Sequence, residues 1–108
     1  FDKIDYLASH SYPANGIGYG FNVGYPSCLP GLTYYEKELQ TIGRSVQVMI
    51  TETGWATHPP SGSNEPDCTE QDKATWTIDA YNGVWLNDSR IMGVTPFMLQ
   101  DSYWGDQI

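Results

Sequence analysis

Basic residues are scarce in this chain. Lys and Arg total five against 13 Asp and Glu, a formal net charge of −8 over 108 residues. Five scattered cations cannot track a phosphate backbone, so nucleic acid is excluded as a partner. An anionic membrane surface is disfavoured by the same charge. No apolar run approaches the length that spans a bilayer. There are only two cysteines and two histidines. Cys28 and Cys68 form no C-x-x-C motif, and His10 and His58 lack zinc-ligand spacing, so no zinc site is expected, and nothing else in the sequence suggests a metal or an organic cofactor. The chain opens at Phe1 without a signal-peptide pattern, and directly on strand-like sequence, which points to a missing upstream portion. Its length allows one small domain or a piece of a larger one.

Aromatic residues are plentiful at 14%, with eight Tyr and four Trp against three Phe. Tyr and Trp pair a flat apolar face with a polar tip, which suits sugar-binding clefts and other wet recognition surfaces. Cys28 and Cys68 both lie in loop sequence (YPSCLPG and SNEPDCTE) and are read as a disulfide in a secreted, extracellular protein, against the alternative of two unpaired thiols in an intracellular one. The bridge would close a loop of roughly 40 residues and contribute about 4 kcal/mol.

Three strands and two helices alternate along the chain. Lys3–Tyr12 reads as a strand with Ile4, Tyr6 and Ala8 on one face and His10 and Tyr12 continuing it. Residues 13–30 are rich in Gly and Pro and form a long loop, a length that is usually functional. Thr33 with Glu36 makes a capping box for a helix running to Gly43, with Tyr35, Leu39 and Ile42 as its stripe. Val46–Thr51 is a short β-branched run, typical of a strand in a parallel sheet. A second loop covers Ala56–Cys68. Thr69 caps a helix to about Leu86, with Ala74, Ile78, Tyr81 and Trp85 expected to face the sheet. Asn87–Ser89 is a turn, and Ile91–Leu99 is a third strand with an irregularity at Pro96. Without hairpin signals the fold class is α/β, a parallel βαβαβ segment.

In such folds ligands gather at the carboxyl ends of strands. Those ends carry His10 and Tyr12, then Glu52 and Trp55, then Gln100, Asp101 and Trp104. Glu52 stands out, because a carboxylate directly after a buried strand is costly to desolvate unless paired, hydrogen-bonded or functional. Gly54 lets the chain turn sharply, and Trp55 would put an aromatic wall beside the acid. Flat aromatics stacking on a pyranose, with polar groups on its hydroxyls, make a carbohydrate site the expected chemistry.

VMITETGWAT resembles the seventh strand of the retaining glycoside hydrolases of clan A, and its E-T-G-W tetrapeptide is similar to that of endo-β-1,3-glucanases. KIDYLASHSYP resembles the sixth strand of that clan. CTEQDKATWTIDAYNGVWLNDSRIMGVTPFMLQDSYW resembles its last helix and eighth strand. The resemblance implies that residues 1–108 are the C-terminal third of a (β/α)₈ TIM barrel. It further implies that the complete enzyme hydrolyses β-glycosidic bonds with retention. Glu52 would be the nucleophile, and His10 and Tyr12 would contact substrate or orient the nucleophile. Trp104 would be the aromatic beneath the sugar. Trp55, Gln100 and Asp101 are expected as further substrate contacts from their places at the strand ends, not from the resemblance. The clan's acid/base Glu follows an Asn after the fourth strand, a strand this chain lacks. Its Asn64-Glu65 and Asn87-Asp88 pairs lie in turns. The chain alone is therefore expected to be inactive. Its partners would be a carbohydrate substrate and the remainder of the barrel, or further copies paired through exposed sheet edges. The alternative is a non-catalytic carbohydrate-binding or structural α/β domain, with Glu52 accepting hydrogen bonds from sugar hydroxyls.

Overall fold

The computed structural model describes residues 2–15, 22–57 and 67–97. Its core is a three-stranded parallel sheet, β1 (Tyr6–Ser9), β2 (Gln47–Ile50) and β3 (Ile91–Val94), in the order β1-β2-β3. Helices follow each of the first two strands, so the chain is mixed α/β with helical crossovers, as parallel pairing requires. The register sets Leu7 opposite Val48 and Ser9 opposite Ile50. Between β2 and β3 an irregularity follows Val48, and Met49 then pairs with Gly93.

The buried side of the sheet is carried by Val48 and Ile50, both fully inaccessible. Val46, Tyr35 and Leu39 join them, with Leu7, Ile91 and Val94 packed alongside. The β1 strand is shorter than its sequence suggests, and the face that carries Tyr6 and Ala8 points outward. Tyr6 and Ala8 are exposed, while Ser9 and Ser11 are fully buried. The alternation is real, but the inward set is half hydroxyl. Burial of those hydroxyls is tolerated because each is hydrogen-bonded. Ser9 Oγ donates to Glu38 Oε2 at 2.5 Å and lies 2.8 Å from Ser11 Oγ.

The first crossover also departs from expectation. A short helix, α1 (Leu29–Leu32), occupies the end of the expected loop, with Pro30 in its first turn where no N–H is needed. Thr33 is the residue that closes α1, not the cap of the next helix, and its hydroxyl donates back to Leu29 O at 2.8 Å. Helix α2 (Tyr35–Ile42) follows from Tyr34 without a side-chain cap. Glu36 is instead drawn to Arg90, 2.9 Å away. The expected stop holds: Gly43 closes α2 at φ 73°, a left-handed position that suits glycine.

Helix α3 (Glu70–Ala80) starts at Thr69 as expected, in a reciprocal capping box with Asp72. It continues as a π-helical turn, α4 (Tyr81–Trp85). Its inward stripe is one residue round from the expected one. Ala74 is exposed and Ile78 is 59% exposed, while Lys73, Ala80 and Val84 are buried. The reason is that Lys73 lies inward at 3% exposure, its ammonium 3.1 Å from Glu70, and a buried lysine stem is invisible to an apolar pattern. The wide π turn then brings both Val84 and Trp85 inward. The β3 strand ends at Val94, short of the expected Leu99; Met98 and Leu99 lie outside the described residues. No helix of the described residues is long and apolar enough to cross a membrane.

Candidate functional site

The ladder between β1 and β2 ends at Ser9 and Ile50, with Thr51 N donating to Ser9 O at 2.9 Å. Beyond it both chains leave the sheet at its carboxyl edge. Residues 10–12 and 52–54 therefore run side by side there, which brings the chemistry together. Tyr12 Oη donates to Glu52 Oε2 at 3.0 Å, and His10 Nδ1 lies 3.4 Å from the same oxygen. The His10 contact is an ion pair when the imidazole is protonated. Glu52 is one-third exposed and His10 over half exposed, so the cluster faces solvent. Glu52 Oε1 makes no hydrogen bond among the described residues. One carboxylate oxygen is thus held and the other is open.

Tyr12 is half-buried, and its phenol is raised well above the ordinary value, first by burial and then by the hydrogen bond to Glu52 and that carboxylate's charge. A phenol raised in this way stays protonated at neutral pH and can only donate to Glu52. Gly54 follows at φ 136°, a backbone position in which a side chain is strained, and it turns the chain away after the acid.

Trp55 does not form the expected wall. It is 1% exposed, its Nε1 donates to Val23 O at 2.9 Å, and its ring packs 5.9 Å from Trp76. It belongs to a second core with Cys28, Cys68, Ala80, Val84 and Trp85, and so offers no face to a sugar. Gln100, Asp101 and Trp104, expected at the end of β3, lie outside the described residues. Cys28 and Cys68 share that second core as free thiols, and Cys68 Sγ donates to Ala56 O at 3.2 Å. Burial pushes each thiol up to about 11, so both stay protonated at neutral pH.

Several residues that shape the site escape a sequence reading. Asn22 latches the two strand-to-helix segments, donating to Ala56 O at 2.7 Å and accepting from Ala56 N at 3.0 Å. Ser11 and Thr53 are wholly buried beside the catalytic candidates. Gly31 of α1 lies against the backbone carbonyls of Tyr12 and Pro13, closer than any side chain would permit. Alternating small and hydroxyl residues around a strand end are the one available signal, and it is common in loops. Among the described residues no group of three or more His, Cys, Asp or Glu side chains is gathered as a metal site would require.

No protein-family model, curated protein or solved structure matches the chain.

Proposed function

We propose that this chain is the part of a retaining β-glycoside hydrolase that carries the nucleophile, the strand-six-to-eight segment of a (β/α)₈ barrel. The observation that carries the reading is the convergence of Tyr12 and His10 on one oxygen of Glu52, at the carboxyl edge of a parallel sheet. The phenol keeps Glu52 oriented, and hydrogen bonding to the carboxylate favours its anionic form. The open oxygen, Oε1, attacks the anomeric carbon while a second carboxyl protonates the leaving oxygen, giving a glycosyl-enzyme ester and the free leaving-group alcohol. Water then releases the sugar with net retention. The second carboxyl of this mechanism stands about 5–5.5 Å from the nucleophile. Asp88 does not fill that role, because Arg90 and Tyr35 hold it. In this reading it comes from the rest of the barrel. The substrate is a β-linked glycan of the β-1,3-glucan type, and the setting is extracellular.

The test is Glu52→Gln in the enzyme that contains the whole barrel, assayed on an aryl β-glycoside. The amide keeps the shape and is a very poor nucleophile. Turnover is expected to fall about a thousandfold or more, about 4 kcal/mol of transition-state stabilisation. Near-normal turnover would remove Glu52 from the reaction. Saturable glycan binding with no hydrolysis by the unmutated enzyme would favour a carbohydrate-binding module.

A further inference from the structure

Thr53 is wholly buried and sits one residue after Glu52. Its Oγ1 donates to Ser11 O at 2.8 Å, and its own carbonyl accepts from Phe97 N at 2.8 Å. Ser11 lies between His10 and Tyr12. The Thr53 hydroxyl therefore ties the backbone that carries Glu52 to the backbone that carries both of its partners. It does so beyond the last paired residues of the ladder, Ser9 and Ile50, where no strand pairing holds the two chains in register.

The acceptor is itself fixed. Ser11 Oγ accepts from Tyr35 N at 3.1 Å, which seats it on the start of α2. Its hydroxyl is 2.8 Å from Ser9 Oγ, and Ser9 donates to Glu38 Oε2, so a buried hydrogen-bonded chain runs from the site into α2. Packing alone does not explain Thr53, since valine has the same shape without the donor. A misplacement of about 1 Å at a reacting group can cost about a hundredfold in rate.

We propose that Thr53 is a positioning residue for Glu52, its hydroxyl locking the carboxylate into contact with Tyr12 and His10. The consequence for catalysis rests on the reading of Glu52 as nucleophile; the geometric claim does not.

The test uses the full chain labelled with ¹³C at the tyrosine Cζ, and follows Tyr12 ionisation by NMR in Thr53→Val, Thr53→Ala and Thr53→Ser. The Tyr35 phenol is an internal control: burial and then the hydrogen bond to Asp88 raise it, at the opposite end of the residue from the backbone N that donates to Ser11. At about pH 11, where an ordinary phenol is ionised, Tyr12 of the unmutated chain is expected to remain protonated. In Thr53→Val and Thr53→Ala its titration should fall by about one pH unit or more as Glu52 moves away. Tyr35 should not shift, and Thr53→Ser should behave as the unmutated chain. An unshifted Tyr12 would overturn the proposal. So would Tyr12 and Tyr35 falling together, or loss of the folded state in both hydroxyl-free variants, since either outcome makes Thr53 a general stability residue. Failure of the nucleophile reading would appear separately, as turnover that survives Glu52→Gln.

Discussion

Gly31 shows how tightly single residues control the candidate site. A Cβ at this position would fall inside contact distance of the Tyr12 and Pro13 carbonyl oxygens, and backbone cannot swing aside as a long side chain can. Gly31→Ala must therefore push α1 away from residues 12–13. The expected cost is about 1–3 kcal/mol, as for other overpacked sites, read as a lower urea midpoint at unchanged slope. An unaltered midpoint would mean that the segment yields freely and that α1 does not seat Tyr12. The sequence marks Glu52, Tyr12 and His10 because each lies within three residues of a strand end, and strand ends are local features. It misplaces Trp55 because an aromatic after an acid suits a cleft or a core equally. The deciding partner, Val23 O, lies 32 residues away in sequence. The conflict is between local pattern and distant packing, and distant packing decides.

At the scale of elements, the ends of the helices and strands differ from expectation more than their existence does. The three strands, the Gly43 stop and the Thr69 start all follow from local chemistry. The capping box at Thr33 does not form, because α1 continues into that position and Glu36 has a better partner in Arg90. That partnership is one arm of a clamp between β3 and α2. Arg90 Nε donates to Asp88 Oδ1 at 2.9 Å, and Tyr35 Oη donates to Asp88 Oδ2 at 2.6 Å. The Arg90 hydrogen bonds, assisted by Tyr35, hold the Asp88 carboxyl well below the usual carboxylate range despite its burial. A depressed folded value contributes stability above the unfolded carboxylate value of about 3.9 and loses it as pH falls toward the folded value. Asp88→Asn should therefore destabilise the chain by about 1.5–3 kcal/mol at neutral pH, as expected for hydrogen bonds to a charged group. The gap between variant and unmutated chain should narrow below about pH 4. Urea midpoints measured across that range check it; a gap that stays constant into acid would show that the ionised Asp88 contributes nothing.

The whole molecule is one-sided. Helices cover the Val48 and Ile50 face of the sheet. On the other face Tyr6 is 63% exposed and Met92 51% exposed, with Ala8 also exposed and Met49 half-buried. Both outer strands, β1 and β3, pair on one side only among the described residues. In a closed barrel the open face would be interior and both edges would be paired. A small unit that leaves an apolar face in water forgoes burial worth roughly 25 cal/mol per Å². Unpaired parallel edges also template association with other chains. The isolated chain is accordingly expected to self-associate as concentration rises. Mutations on the open face, such as Met92→Lys, should weaken association while leaving the fold intact, because Met92 is not part of either core. Static light scattering across a concentration series, with circular dichroism on the same samples, is the measurement. A cooperatively melting monomer at every concentration would show that this face and these edges need no cover, and would favour a self-sufficient α/β domain over a barrel segment.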